Sequence, residues 1–324
     1  MKRKTIIFTS WLETSKEHQR MLAENTELEI QYKKVSELTP QDYQETEIII
    51  GGCEQKLLKK FKNLKWLQLQ SAGTDGYTDE GILPARTLLT NATGTYGLTI
   101  AEHMLAMTML LQRKFHHYFD NQKQELWKSE GDIQSIYNSV FLIIGLGDIG
   151  TEFAKRVKAL GGYTIGVKRV IYGDEKHIDE LYTNQDLDEQ IARADVIAMS
   201  VPGTPETFKM WDKDRIAKMK ENAIFINVGR GISVDTEALC DALENKKIGG
   251  ASLDVIDPEP LPVGHRAWKT PNLIITPHIS GNYYLEETKN RFLAILKENI
   301  TRYLEGKPLL NEVDFKTGYR KKNF

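Results

Sequence analysis

Cysteine is scarce in this sequence, and its scarcity excludes several classes of protein. Only two cysteines, Cys53 and Cys240, occur among 324 residues, and they are far apart in the chain. Neither has a partner cluster, which argues against a disulfide framework and against a thiolate metal site. Cys240 falls in an amphipathic segment, 235–247, where we expect an ordinary core thiol. This cysteine usage favours the reducing cytoplasm.

Long apolar segments and an excess of one charge are also missing. The apolar run after the basic amino terminus spans only 5–8, which is shorter than that of a signal peptide. No stretch approaches the roughly 20 apolar residues that a membrane span needs. The net charge is −2, so there is no positive field to hold a nucleic acid or an anionic membrane. We therefore expect neither as a partner.

The remaining composition is that of an ordinary soluble protein, with 40% hydrophobic and 27% charged residues. A chain of 324 residues exceeds one compact core, so two domains are expected. Short apolar runs alternate with amphipathic segments, which predicts an α/β fold with doubly wound parallel sheets. Two series of strands are predicted, one at 4–8, 47–50, 64–70 and 87–91, the other at 141–145, 163–167, 196–201, 223–228, 250–255 and 273–276.

A single long helix is predicted between the two series, over 99–124, because this segment is rich in Met, Leu and Ala and contains no glycine or proline. It carries His103, His116 and His117. No carboxylate or thiolate is spaced to complete a metal site with them, so we expect no bound metal.

A buried strand followed by Gly-x-Gly-x-x-Gly and a helix is the clearest binding signal. The segment 141–150 has the sequence FLIIGLGDIG. Gly145 suits a tight turn, Gly147 lets the backbone approach a pyrophosphate, and Gly150 lets helix and strand pack closely. The amino terminus of the helix adds free N–H groups and a positive dipole for the phosphates. The pattern predicts dinucleotide binding.

The second strand of this series ends in two cations where NAD-specific proteins carry an acidic residue, about 20 residues after the glycine turn. Arg169 takes the place of that acid, Lys168 is beside it, and Asp174 lies beyond the strand. Two cations attract a 2′-phosphate and offer no acceptor to a ribose 2′-hydroxyl. The sequence therefore favours NADP(H) over NAD(H).

Three residues that follow strands of the second series fit hydride transfer to a 2-oxo acid. Arg230 lies between two glycines, where its planar guanidinium could bind a carboxylate through two hydrogen bonds. His278 follows a strand and could exchange a proton with the carbonyl oxygen. Glu259 lies between two prolines, and its carboxylate would favour the imidazolium form.

These residues stand in segments that resemble the D-isomer-specific 2-hydroxyacid dehydrogenases, including the glyoxylate/hydroxypyruvate reductase branch. The resemblance covers roughly 64–300. The matching segments are Asn91-Ala-Thr-Gly94, Ala101-Glu-His103, Ala194-Asp-Val-Ile, Val201-Pro-Gly-Thr-Pro-Glu-Thr207, Asn227-Val-Gly-Arg-Gly231, Gly250-Ala-Ser-Leu-Asp-Val255, Asp257-Pro-Glu-Pro260 and Pro271-Asn-Leu-Ile-Ile-Thr-Pro-His278.

The resemblance implies an enzyme that transfers a hydride between a nicotinamide cofactor and a small 2-oxo acid or D-2-hydroxy acid. It implies two Rossmann-like domains, a substrate domain over 1–98 completed by 290–324, and an inserted cofactor domain over 99–289. Arg230, Glu259 and His278 would be catalytic, and the backbone of Ser71, Ala72 and Gly73 would bind the substrate carboxylate. A homodimer joined near the long helix is also implied. Cofactor contacts would be Asp148, Ile149, Val201, Pro202, Thr207, Val228, Gly229, Arg230, Asp254, His278 and Gly281.

Two alternatives stay open at this level. Corepressors of the same superfamily bind dinucleotide and keep the three catalytic residues while acting through protein partners. Other members act on different substrates, such as formate, phosphite or 3-phosphoglycerate. The side-chain pocket is not identified by sequence, although Tyr96, Tyr283 and Tyr284 are candidates for lining it or for burial elsewhere. The individual 2-hydroxy acid and the direction of the reaction therefore stay open.

Overall fold

A computed structural model describes residues 2–10, 15–24, 27–171, 173, 175–318 and 320–321. The chain divides into two compact units, one formed by 1–96 with 282–324 and one by 97–281. The sequence placed the divisions after 98 and 289. No helix within the described ranges combines the length and apolar character that crossing a membrane requires.

The first unit contains a five-stranded sheet in the order β2-β1-β3-β4-β5. Every neighbouring pair is parallel. Apolar side chains of β1, β3, β4 and β5 are buried at its centre. Its strands are β1 (Arg3–Phe8), β2 (Leu28–Lys33), β3 (Ile48–Ile50), β4 (Trp66–Gln68) and β5 (Leu88–Thr90), and its helices are α1 (Lys16–Ala23), α2 (Pro40–Glu45), α3 (Gln55–Leu58) and α10 (Glu286–Leu304).

The second unit contains a seven-stranded sheet in the order β12-β11-β10-β9-β6-β7-β8. All neighbouring pairs are again parallel. Its strands are β6 (Val140–Ile144), β7 (Tyr163–Lys168), β8 (Glu180–Thr183), β9 (Val196–Met199), β10 (Ile224–Asn227), β11 (Gly250–Leu253) and β12 (Leu273–Ile275). Its helices are α4 (Gly97–Gln112), α5 (Phe115–Lys123), α6 (Asp148–Ala159), α7 (Leu187–Ile191), α8 (Lys213–Ala217) and α9 (Thr236–Glu244).

The predicted fold class is confirmed by these two parallel sheets. Strand β6 lies between β7 and β9, so the strand order reverses direction beside it. In open α/β sheets, ligands bind outside the carboxyl ends of the strands at such a reversal. The glycine turn follows β6 and therefore occupies the position at which this fold binds ligands.

Two edge strands, β2 and β8, were not predicted because they bury almost no residues. In β2 only Leu28 is buried, and every residue of β8 is partly exposed. Edge strands have one open side and need no continuous apolar run. Their sequences therefore carry only a weak strand signal.

The prediction of one long helix over 99–124 is wrong. The segment forms two helices, α4 and α5, which are separated because Lys114 adopts a left-handed backbone with φ of 58°. Tertiary contacts hold the break in place: the Lys114 ammonium donates to the carbonyl oxygen of Glu130 at 2.7 Å, and the Glu130 N–H donates to the Tyr118 hydroxyl at 3.1 Å. Composition predicted a continuous helix because no glycine or proline marks this break.

Candidate active site

The glycine turn after β6 has the geometry that a dinucleotide phosphate requires. Gly145 has φ of +94°, and a Cβ there would lie 2.9 Å from the carbonyl oxygen of Ser200. A Cβ on Gly150 would collide with the carbonyl oxygen of Gly145. In contrast, a Cβ on Gly147 would meet no atom within 4 Å. The turn is therefore closely packed at Gly145 and Gly150 and open at Gly147. The first free N–H groups of α6 follow Gly147.

Asp148 and Ile149, which the sequence placed in the glycine turn before the helix, form the first turn of α6. Ile149 is half-buried. The Asp148 carboxylate accepts a hydrogen bond from the Gly97 N–H at 2.7 Å, so it also binds the start of α4. This second contact was not predicted, because the two residues are distant in the sequence.

The loop after β9 carries Val201, Pro202 and Thr207. The Thr207 hydroxyl donates to the carbonyl oxygen of Pro202 at 2.7 Å and accepts from the Thr204 N–H at 2.9 Å. The Thr207 side chain therefore bonds two other residues of the same loop. Pro202 is exposed to solvent. The neighbouring loop after β10 packs against it, since a Cβ on Gly229 would collide with the Val201 carbonyl oxygen.

Arg230 lies in the turn that follows β10, and the buried Asn227 holds this turn. The Asn227 amide donates to the carbonyl oxygen of Arg230 at 3.0 Å and accepts from the Gly229 N–H at 3.0 Å. The guanidinium donates to the Gly229 carbonyl oxygen at 2.8 Å. Val228 continues the strand pairing through its N–H, which donates to the Met199 carbonyl oxygen at 3.1 Å. Sequence reasoning did not identify Asn227, although its place at the end of a buried strand marks it as a side chain that needs partners.

Glu259 and His278 form a direct pair, with Oε2 of the carboxylate 2.9 Å from Nδ1 of the imidazole. The second carboxylate oxygen, Oε1, accepts from the Ile256 N–H at 2.9 Å. Glu259 is therefore anchored to the backbone through one oxygen and orients the ring through the other. Nε2 is the ring nitrogen that points away from the carboxylate, and the His278 side chain is 52% exposed.

Asp254 organises the loop that carries His278. This buried carboxylate accepts from the Thr276 hydroxyl at 2.6 Å, the Ile279 N–H at 3.0 Å, and the Ser280 N–H and hydroxyl at 3.1 and 2.5 Å. Burial favours a raised pKa for Asp254, but these hydrogen bonds outweigh it and hold the pKa below its usual value. Asp254 is therefore ionised at neutral pH. Gly281, the last residue of the second unit, follows this loop.

The comparisons with known proteins agree with this geometry. The sequence model of the D-isomer specific 2-hydroxyacid dehydrogenase NAD binding domain matches residues 105–280, more than half of the chain. The chain belongs to the D-isomer specific 2-hydroxyacid dehydrogenase family. The resemblance found in the sequence is thereby confirmed, and with it nicotinamide dinucleotide-linked oxidoreduction of 2-hydroxy acids.

Individual relatives support the family over most of the chain. A solved structure of a D-isomer specific 2-hydroxyacid dehydrogenase family protein from Aeromonas salmonicida has a TM-score of 0.85 and 31% identity, covering 97% of this chain and 100% of that one. A second structure, from Xanthobacter autotrophicus in complex with NADPH and MES, has a TM-score of 0.82 and 25% identity, covering 97% and 99%. Glycerate dehydrogenase of Methylorubrum extorquens is 32% identical over 261 residues, which are 78% of this chain and 79% of that protein.

The cations at the end of β7 both have acidic neighbours in this family member. Lys168 forms an ion pair with Glu175. Arg169 is exposed, and its charge acts on Glu206 in the loop after β9. The pKa of Glu206 is lowered chiefly by a hydrogen bond from Thr204, with a smaller contribution from Arg169. The sequence did not reveal either glutamate as a neighbour, and Asp174 lies outside the described residues.

In the first unit, the turn after β4 contains Ser71, Ala72 and Gly73, and each of their carbonyl oxygens accepts a hydrogen bond. The Ala92 N–H donates to Ser71 at 2.9 Å and the Asn91 amide donates to Ala72 at 2.8 Å. The Ser71 hydroxyl donates to Gly73 at 2.7 Å. In a trans peptide the N–H points opposite to the C=O. The N–H groups of the same peptide units therefore point away from the donors that bind these carbonyl oxygens.

The three candidate tyrosines of the first unit occupy different environments. Tyr96 is buried and Tyr283 is half-buried, and both hydroxyls donate to the carbonyl oxygen of Gln70. Burial raises the pKa of both phenols. Tyr284 is exposed.

Two of the three histidines of α4 and α5, His103 and His116, have hydrogen-bond partners, and the ring of His117 lies against that of His116 with centroids 4.1 Å apart. Nε2 of His103 lies 3.3 Å from the Thr276 hydroxyl, and Nε2 of His116 lies 3.1 Å from the Asn272 amide oxygen. Within the described ranges, no group of three or more His, Cys, Asp or Glu side chains has the arrangement of a metal site.

Proposed function

We propose that this family member is an NADPH-linked oxidoreductase that interconverts a small 2-oxo acid and the corresponding D-2-hydroxy acid. The observation that carries the proposal is the Glu259–His278 pair at the carboxyl edge of the sheet that also carries the glycine turn. A carboxylate-paired imidazole can hold and release a proton at neutral pH.

The proposed proton step uses His278. A bound nicotinamide would supply the hydride for reduction. His278 Nε2 would give its proton to the carbonyl oxygen of the 2-oxo acid. The Glu259 carboxylate stabilises the imidazolium before that transfer and orients the ring. In oxidation the neutral imidazole accepts the proton from the substrate hydroxyl, so the same nitrogen serves both directions.

The residue proposed to bind the substrate carboxylate is Arg230. Its guanidinium would bind the carboxylate through charge-assisted hydrogen bonds and polarise the carbonyl. The family resemblance also assigns carboxylate binding to the backbone N–H groups of Ser71, Ala72 and Gly73. Arg230 binds a carboxylate and polarises a carbonyl, which requires the two groups to be adjacent in the substrate. A 2-oxo acid has this arrangement.

The proposed cofactor site is the carboxyl edge around β6. Gly147 leaves the space for the pyrophosphate, and the amino terminus of α6 supplies N–H groups to it. Arg169 binds the 2′-phosphate, and we propose a preference for NADP(H) over NAD(H) on that ground. The proposed contacts are Gly145, Gly147, Asp148, Ile149, Gly150, Lys168, Arg169, Val201, Pro202, Thr207, Val228, Gly229, Arg230, Asp254, His278 and Gly281.

The test is turnover by the His278→Gln variant, with glyoxylate, hydroxypyruvate, pyruvate and branched 2-oxo acids as substrates. Loss of the acid and base is expected to lower kcat by about 10²- to 10⁴-fold, with a smaller effect on cofactor affinity. The matched control is His265→Gln, which breaks another histidine–glutamate pair, with Glu237 at 3.4 Å. Near-wild-type turnover by His278→Gln, or no turnover of any 2-oxo acid by the wild type, would overturn the proposal.

We also propose a cytoplasmic homodimer. Both cysteines are free, and thiols stay reduced in the cytoplasm. The segment from α5 to β6 exposes several large apolar side chains, including Phe115, Phe119 and Trp127. Exposed apolar clusters of this kind mark interaction surfaces.

A further inference from the structure

His103 lies on α4, and its side chain reaches the loop that carries His278. It is half-buried, with Nε2 3.3 Å from the hydroxyl oxygen of Thr276. The same Thr276 hydroxyl lies 2.6 Å from Oδ1 of Asp254. The three side chains therefore form a continuous chain from α4 to the carboxylate that binds residues 276–280.

The direction of the hydrogen bonds in this chain follows from the charge on Asp254. Its two oxygens face only donors: the Thr276 hydroxyl and the Ile279 N–H on one, the Ser280 N–H and hydroxyl on the other. A carboxylate accepts at all of these positions, whereas a protonated carboxyl group would need an acceptor. Asp254 is thus the terminal acceptor.

The Thr276 hydroxyl has one hydrogen, and the short contact directs it to Asp254. The hydroxyl oxygen can then only accept from His103, so Nε2 of His103 must carry a hydrogen. Burial lowers the pKa of His103, with the charge of Asp254 opposing this effect. His103 is therefore a neutral imidazole in the Nε2–H tautomer at neutral pH.

The loop that this chain holds has an unfavourable backbone at His278. Its φ of 52° lies in the left-handed region, which side chains other than glycine seldom adopt. The conformation is held because the His278 N–H donates to the Asp254 carbonyl oxygen at 2.8 Å and the next two N–H groups donate to the Asp254 carboxylate. The direction of the His278 ring depends on this backbone.

We propose that His103 is a positioning residue for the reaction. It donates to Thr276, which keeps the threonine hydroxyl directed at Asp254, and Asp254 in turn holds His278 in its strained conformation. His103 touches neither substrate nor cofactor in this role. The inference rests on the proposed function, because it assumes that His278 exchanges the proton.

The experiment compares variants that remove the donor with variants that keep it. His103→Leu removes it, whereas His103→Gln places an amide N–H near the original Nε2. Misplacing a reacting group by about 1 Å can cost about a hundredfold in rate, so we expect His103→Leu to lower kcat ten- to hundredfold. We expect KM for the cofactor to change less than kcat, and His103→Gln to restore most of the turnover.

Thr276 supplies an independent pair of variants in case His103→Leu does not fold. Thr276→Val removes the middle link and Thr276→Ser keeps the hydroxyl, so only the first should lower kcat. The double variant His103→Leu with Thr276→Val should be no slower than the slower single variant, since both break one chain. Thr108→Val is the control for loosening of α4, because its hydroxyl donates only within the helix, to the Met104 carbonyl oxygen at 2.8 Å.

The outcomes separate this inference from the proposed function. If His278→Gln abolishes turnover while His103→Leu and Thr276→Val stay within twofold of the wild type, the positioning role is wrong and the proton step stands. If His278→Gln remains active, the proposed proton step is wrong, and the positioning role that rests on it is wrong too. Equal losses in His103→Leu and His103→Gln, or a loss in Thr108→Val as large as in His103→Leu, would also overturn the positioning role.

Discussion

Arg169 is the residue on which the proposed cofactor preference depends. A charge-assisted hydrogen bond to the 2′-phosphate contributes about 1.5 to 3 kcal/mol, which corresponds to roughly ten- to a hundredfold in affinity. Arg169→Asp should therefore lower the ratio of kcat/KM for NADPH to that for NADH by about this factor. Steady-state kinetics with one 2-oxo acid measure the ratio.

Lys168 provides a comparison for Arg169, because it is the other cation at the end of β7 and forms an ion pair with Glu175. Arg169 takes the place of the acidic residue of NAD-specific proteins, so Lys168→Gln should change the ratio less than Arg169→Asp. A wild-type preference for NADH, or an unchanged ratio in Arg169→Asp, would reject the role given to Arg169.

Glu259 is the residue that orients the proposed acid and base. Its carboxylate lies 2.9 Å from Nδ1 of His278, so Nε2 is directed away from it. Glu259→Ala removes this contact, and kcat should fall by about a hundredfold, which is the cost of misplacing a reacting group by about 1 Å. The measurement is kcat for the 2-oxo acid with saturating cofactor. An unchanged kcat would reduce Glu259 to a structural residue.

At the scale of elements, Asp42 connects β1, β2 and the start of α2. Its buried carboxylate accepts from Lys33 at 2.7 Å and from the N–H and hydroxyl of Thr39 at 2.8 Å each, and it lies 3.1 Å from the ammonium of Lys4. Burial alone would raise the pKa of Asp42, but the bonds from Lys33, Thr39 and Lys4 hold it well below its usual range. The ionised form is therefore favoured in the folded protein.

The expected consequence is a stability contribution that depends on pH. Because the folded pKa of Asp42 is depressed, the contribution is complete above the unfolded value of about 3.9 and is lost as the pH falls through the folded pKa. Asp42→Asn should lower the free energy of unfolding at pH 7 by about 3 kcal/mol, the lower end for breaking a buried pair, since both lysines reach water. Urea unfolding at pH 7 and pH 3 measures the difference, which should shrink at pH 3.

Asp120→Asn is the matched control for this prediction. Asp120 lies on the exposed surface of α5 and pairs with Lys123 at 3.0 Å, and surface pairs add little to stability. Equal losses from Asp42→Asn and Asp120→Asn, or a difference for Asp42→Asn that stays constant down to pH 3, would contradict the assignment.

At the scale of the whole molecule, the proposed dimer is the property most open to direct measurement. Phe115 and Phe119 stack on the surface of α5 with ring centroids 6.2 Å apart, and the nearby Trp127 is fully exposed. Burying such aromatic side chains is a major source of interface energy. Phe119→Glu combined with Trp127→Glu should therefore convert a dimer into a particle of half the mass.

Sedimentation equilibrium of the full chain measures that mass. Val263→Glu is the control, since Val263 is also fully exposed but lies in the loop before β12. A monomeric wild type, a dimer that survives the double substitution, or a dimer that Val263→Glu disrupts to the same extent would contradict the proposed surface.

Several features of the chain were determined by the sequence alone, because they depend on neighbouring residues. The apolar runs of the buried strands follow from burial on both sheet faces. The glycine turn follows from steric requirements within one loop. Arg230, Glu259 and His278 were singled out by their positions after strands and beside glycine or proline.

Other features were decided only by the tertiary structure, because they depend on residues that are distant in the chain. The break at Lys114 rests on contacts with Glu130, and the edge strands β2 and β8 are defined by their neighbours in the sheet. His103 and Thr276 are 173 residues apart in sequence. A hydrogen bond needs two atoms within about 3.5 Å, and no local pattern of residues specifies which distant side chain supplies the second atom.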